Sequence, residues 1–174
     1  MKTSNKTKAV FLFLDILFFI VLVILDQITK SLAVTYLKDR PAYVLFEDVF
    51  ELHYLENRGA AFGMLQNQKV LFVIIAVVML TAITYILIKI PRTKHYYALE
   101  FLMVLIASGA VGNLIDRVSL GYVVDFFYFK LIDFPIFNVA DIYVSVSCVL
   151  LAILLVFFYK DQDFSFLNRS KKKE

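Results

Sequence analysis

Three polar side chains interrupt an apolar stretch in the second half of the chain: Asn113, Asp116 and Arg117 of "GNLIDR". At i, i+3 and i+4 they share one face of a helix. Gly109 and Gly112 precede them and let a neighbouring helix approach closely. A helix end with a local ion pair accounts for any one of the three, and less well for all three beside two glycines. Asp125 follows in "YVVDFFYF", among aromatic and branched neighbours. Solvated loops are seldom written that way, and carboxylates at membrane depth are functional candidates. Asp141 opens the last apolar run in "FNVADIYVSV", with Asn138 three residues before it. Either residue could cap a helix start, but capping occupies one and leaves the other without a role.

If Asp125 and Asp141 converge, their chemistry is specific. Two carboxylates a few ångströms apart cannot both ionise easily, so they share a proton. One acts as base toward a water, the other as acid toward a carbonyl, and the titration belongs to the pair. No Ser–His, Ser–Lys, HExxH or Cys–His arrangement offers a rival nucleophile. The single Cys148 lies in an apolar run, and His53 and His95 lie far from it in sequence. The expectation is therefore no metal and no organic cofactor.

Composition says what must position these groups. The 174 residues are 61% hydrophobic and 19% charged, with a mean hydropathy of +0.78. A soluble domain is about half apolar and roughly a quarter charged, so a membrane protein is expected. Four apolar runs, each near the roughly 20 residues that cross a bilayer, predict helices over about 9–36, 70–90, 97–118 and 139–160. Lipid leaves only helices or closed barrels, and runs this continuous favour helices. The first run begins with Lys2, Lys6 and Lys8 like a signal peptide. It is too long, and no A-x-A-like site follows it, so it reads as a retained helix.

Between the first two helices, about 37–69 is too long for a tight turn, and "YVLFEDVFELHYL" alternates enough to predict short strands. The expected architecture is thus an all-α membrane protein: one integral domain over 1–174, four transmembrane helices, a small β-containing cap on the outer face and a basic tail over 161–174. Eleven of the 18 Lys and Arg residues fall on the side that holds both termini. That side is expected to be cytoplasmic, which puts every polar cluster at the outer face. No stretch interleaves bases and aromatics as a nucleic-acid site would.

Two further groups lie at that outer end. Asp26 and Lys30 of "DQITK" form an i, i+4 ion pair worth tenths of a kcal/mol if exposed. Asn57 in "ENRGAAFG" precedes Gly59, Ala60 and Ala61, a small-residue turn that lets backbone approach a ligand. Asp15, alone in mid-run, is expected to face another helix or to snorkel.

At these residues the sequence resembles lipoprotein signal peptidase, or signal peptidase II. "DQITK", "NRGAAFG", "GNLIDR", "VVDF" and "FNVAD" match that family's blocks in order, from about Asp26 to Tyr159. The resemblance implies a bacterial intramembrane aspartyl endopeptidase in the cell membrane. It would remove the signal peptide from diacylglyceryl-modified prolipoproteins, cutting just before the lipidated cysteine. It puts the catalytic pair on Asp125 and Asp141. It puts substrate contacts on Asn57, Gly59, Ala60, Asn113, Arg117 and Asn138, and support on Asp26, Lys30 and Asp116. Asp116 is the competitor for a place in the pair. The implied partners are the prolipoprotein, membrane lipid and globomycin-type inhibitors, and a monomer would suffice. The alternative is a small carboxylate-dependent transporter, although such folds favour repeats and helices broken at midplane. A metal-dependent phosphotransferase is a weaker rival, and a pure interaction protein leaves the clustered Asp and Asn residues without purpose.

Overall fold

A computed structural model describes residues 5–59, 65–66 and 68–167, with no side-chain detail for 5–8. Four helices dominate: α1 (Asn5–Leu37), α2 (Lys69–Lys89), α3 (Tyr97–Ser119) and α4 (Val139–Phe157). Each is long and apolar enough to cross a bilayer. The protein is thus an all-α membrane architecture with a small sheet, as the apolar runs predict. α1 continues through "DQITKSLAVTYL". At 1.5 Å per residue it outreaches the roughly 30 Å hydrocarbon core.

α3 is the central helix. Its span is 56% buried, against 6–11% in the other three. α1, α2 and α4 all pack on it. Phe18 stacks on Phe101 at 5.2 Å, and Ile83 of α2 and Ile90 just after it pack with Leu99, Met103 and Ile106. The glycines expected to allow close contact do so against different partners. A Cβ on Gly109 would meet the Ala140 carbonyl and Val144 of α4, and one on Gly112 would meet the Asp26 carboxylate of α1. The outward faces of α1, α2 and α4 remain apolar and exposed, as at Val70, Ile88 and Val156. In water that surface would be a liability; in lipid it is the ordinary solvent face.

At one end of the bundle lies a three-stranded antiparallel sheet in the order β1 (Tyr43–Phe46), β2 (Phe50–Asn57), β3 (Val123–Tyr128). The first two are the predicted short strands, paired antiparallel as a hairpin. β3 is not: the segment around Asp125 is a strand, and it completes the cap from the other half of the chain. Val124 and Phe126 turn one way, onto Ala33 of α1. Strand alternation sends Val123 and Asp125 the other way.

The opposite end holds the start of α1 and the segment after α4. There residues 161–167, expected to belong to a tail, form 3-10 turns, and Phe164 and Phe166 pack against the core. Asp15 is held there by Arg92 at 2.7 Å. Lys2 and 168–174, the rest of the tail, lie outside the described residues, as does Ala60.

Candidate active site

The site stands where the outer ends of α1, α3 and α4 meet β3. Asp125 projects from the strand and is 1% exposed. Its Oδ2 accepts from Asn57 Nδ2 at 2.8 Å. Asn57 lies opposite Val123 in the β2–β3 register, so the two side chains form a diagonal cross-strand pair. The Gly59 N–H donates to Asn57 Oδ1 at 2.9 Å and fixes which way that amide points.

Asn138 precedes α4 and joins the two aspartates. Its Nδ2 donates to Asp125 Oδ1 at 2.6 Å. Its Oδ1 accepts the Asp141 N–H at 3.0 Å, and its own N–H donates to Asp141 Oδ2 at 3.2 Å. The last two bonds form a reciprocal capping box. Capping therefore uses both residues, contrary to the expectation that it explains only one. Each still has a further contact: Asn138 reaches Asp125, and Asp141 Oδ1 accepts from Asn113 Nδ2 at 2.8 Å.

Behind the pair is a buried ionic layer. Lys30, 3% exposed, has three N–H donors and three acceptors: Asp26 Oδ2 at 2.9 Å, Asp116 Oδ2 at 3.0 Å and Asn113 Oδ1 at 2.9 Å. Asp26, fully buried, also accepts the Ala140 N–H at 3.0 Å, tying α1 to the first turn of α4. Asp116 also accepts the Val124 N–H at 3.1 Å, tying α3 to β3. The Asp26–Lys30 pair is thus no exposed surface contact worth tenths of a kcal/mol. Removing one partner of such a buried pair costs about 3–5 kcal/mol. Asp116 is spent on Lys30, Val124 and Gln27, and faces away from the cavity that Asp125 and Asp141 line. Gln27, which the sequence reading passed over, bridges Asp26, Asp116 and the Gly112 carbonyl. It sits inside "DQITK", one residue from an identified aspartate.

The cavity measures about 360 Å³. Asn57, Gly59, Asn113, Arg117, Asp125 and Asp141 provide its polar lining. Phe134 to Phe137 with Ile142 and Val146 of α4 provide much of its apolar wall. Arg117 stacks its guanidinium 4.6 Å from the Phe72 ring and makes long contacts, 3.4 Å, to the Gly59 and Asn113 carbonyls. Burial pushes the Asp125 carboxyl up to about 7, and the neighbouring Asp141 charge adds to that; the Asn57 and Asn138 donors and Lys30 oppose it. Among the described residues no group of three or more His, Cys, Asp or Glu side chains is arranged to hold a metal. Asp125 and Asp141 thus line one cavity, with the polar side chains of Asn57, Asn113 and Arg117 beside them.

A family model described as "Signal peptidase (SPase) II" matches residues 18–157. The lipoprotein signal peptidase of Caldanaerobacter subterraneus subsp. tengcongensis is 48% identical over 78% of this chain and 90% of its own length. That of Clostridioides difficile is 44% identical over 83% and 96%. A solved bacterial membrane enzyme superposes with a TM-score of 0.74 at 31% identity, over 92% of this chain and 94% of its own.

Proposed function

Because the chain belongs to the signal peptidase II family and removes the signal peptide from prolipoproteins, we propose that it does so with a water activated by Asp125 and Asp141. The observation that carries this is the Asn138 side chain and backbone, bonded at once to both carboxylates on the wall of one cavity.

One proton sits on the pair. The ionised carboxylate takes a proton from water, and the hydroxide oxygen attacks the scissile carbonyl carbon. The protonated carboxyl gives its proton to the carbonyl oxygen, forming a neutral gem-diol. Return of a proton to the amide nitrogen breaks the C–N bond, releasing a carboxylic acid and an amine and leaving one proton on the pair. Burial and the Asp141 charge raise Asp125 to about 7, so the pair keeps its shared proton near neutrality. Arg117, Asn113 and Gly59 hold the peptide backbone beside the pair. Asn138 and Asn57 orient Asp125, and the Asp26–Lys30–Asp116 layer fixes the helices that bring the pair together.

The substrate is a prolipoprotein whose diacylglyceryl chains stay in the bilayer while the bond just before the lipidated cysteine enters the cavity. Both termini are cytoplasmic and the site is at the outer face, which the Lys and Arg asymmetry supports. Every site residue comes from one chain, so a monomer suffices, and globomycin-type inhibitors compete for the cavity. A transporter is disfavoured: the four described helices are unbroken, and the polar groups that line the cavity gather at one end.

The test expresses Asp125→Asn and Asp141→Asn separately and assays cleavage of a diacylglyceryl-modified prolipoprotein in detergent. Each should fold and lose nearly all activity, with EDTA leaving the parent enzyme unaffected. Cleavage by either variant removes that residue from the pair.

A further inference from the structure

Along α4 the wall of the catalytic cavity passes from a carboxylate to a hydroxyl to hydrocarbon. Asp141, Ser145 and Val149 follow one another at i, i+4 and i+8, so each step descends about 6 Å and turns about 40° around the helix. Asp141 and Ser145 both line the cavity. Val149 is 61% exposed and lies on the opposite side of α4 from the fully buried Ala140, on the face turned to lipid. Ile142 and Val146, also exposed, line the cavity beside Ser145. Phe134 completes the rim from the segment before α4 and is itself exposed. The cavity therefore opens sideways toward the bilayer along this face of α4.

The polar group in that opening is the Ser145 hydroxyl. A hydroxyl in an apolar setting without a partner is costly, and a serine or threonine within a helix can return its hydroxyl to the carbonyl one turn back. Ser119 and Thr81 do so. Ser145 is exposed, and among the described residues its hydroxyl has no hydrogen-bond partner. It is a free donor one turn below Asp141, at the border between cavity and lipid. At about 360 Å³ the cavity is near the small end of ligand sites, which run roughly 300–1,000 Å³. A bent peptide segment and a glycerol group fit in it, and acyl chains must lie outside.

Resting on the peptidase reading above, we propose that this face of α4 is the subsite for the substrate's diacylglyceryl group. The Ser145 hydroxyl donates to a glycerol-ester carbonyl, and the acyl chains run down over Ile142, Val146 and Val149. The order of chemistry along the wall is that of the ligand. From the scissile amide outward, a diacylglyceryl-cysteine presents a thioether, a glycerol diester and then hydrocarbon. The dyad meets the amide, Ser145 the ester and the exposed apolar residues the chains. An ester carbonyl only accepts hydrogen bonds, and the Ser145 hydroxyl has a hydrogen to give.

The test uses two prolipoprotein substrates with the same peptide and the same chains. One is a glycerol diester; the other is a glycerol diether, which lacks the carbonyls. The full chain is assayed in detergent as the parent and as Ser145→Ala, Ser145→Thr and Ser145→Val. Threonine and valine share a shape and differ in the hydroxyl. In the parent and in Ser145→Thr, kcat/KM should favour the diester by about two- to tenfold, the range of one neutral hydrogen bond. Ser145→Ala and Ser145→Val should bring the ratio near one by slowing diester cleavage alone. Unchanged diether cleavage then reports that each variant is folded. A loss that falls equally on both substrates overturns the proposal, because a structural role or a bond to the peptide backbone acts that way. A diester preference that survives Ser145→Val overturns it too. A parent that cleaves both substrates, with a ratio these variants do not move, sinks this inference alone. A parent that cleaves neither sinks the peptidase reading with it.

Discussion

Asn138 has two separable duties, and substituting it tests both. As the N-cap of α4 its Oδ1 accepts the Asp141 N–H; as a clamp its Nδ2 holds Asp125 Oδ1 at 2.6 Å. Losing a cap costs about 0.5–2 kcal/mol, and losing a hydrogen bond to a charged group about 1.5–3 kcal/mol. Asn138→Ala loses both. Asn138→Ser keeps a cap acceptor but has no N–H to offer Asp125. In detergent, the alanine variant should therefore unfold at a lower temperature than the serine variant, and serine lower than the parent. If the clamp acts mainly when the pair is attacking its substrate, both variants should lose about tenfold to a hundred-and-fifty-fold in kcat/KM. Cleavage of a lipidated prolipoprotein, at matched folded fraction, measures that. A serine variant with parental kcat/KM would refute the clamp; equal stability of the two variants would refute the cap.

Asp125 at about 7 rather than its ordinary 3.8 makes activity depend on pH. If it is the acid of the pair, kcat/KM should fall as pH rises through about 7, and Asn57→Ala, lacking a donor to the ionised form, should move that limb upward. A limb that does not move refutes the assignment. The same raised group adds stability that is fully present below the unfolded value and lost as pH rises through about 7, which unfolding series across that range would detect. Gly112→Ala puts a methyl group against the Asp26 carboxylate, with its Cγ at 3.0 Å and the Ala140 Cβ at 3.4 Å; overpacking of this kind costs about 1–3 kcal/mol. The unfolding temperature should fall and cleavage with it, because Asp26 holds the start of α4. At the other end, Arg92→Met removes the cation that holds the Asp15 carboxylate and should lower the unfolding temperature in detergent, read by thermal unfolding.

The sequence by itself determined the four helices, the first two strands of the cap and the polar blocks that flank them. Long apolar runs have one solution in lipid, and polar residues inside them are too costly to be accidental. The family was legible from five short blocks in order. What only the tertiary structure decided was which polar groups face one another. Asp116 and Arg117 are adjacent in the chain, yet one turns to Lys30 and the other to the cavity, a difference of one helical step that spacing alone left open. β3 was missed because six residues in "VVDFFY" lack a periodicity of their own: strand pairing with β2, from the far half of the chain, makes them a strand and aims Asp125 inward. The N–H groups of Val124 and Ala140 carry no sequence signal, since a backbone donor is the same in every residue, and Gln27, though inside "DQITK", shows its bridging partners only in the fold. Their role exists only because α1, α3, α4 and β3 converge. Hydrophobicity is a local property that a chain displays in one dimension. A hydrogen-bonded site depends on distances between segments over a hundred residues apart, as Asp26 and Ala140 are, and packing alone sets those.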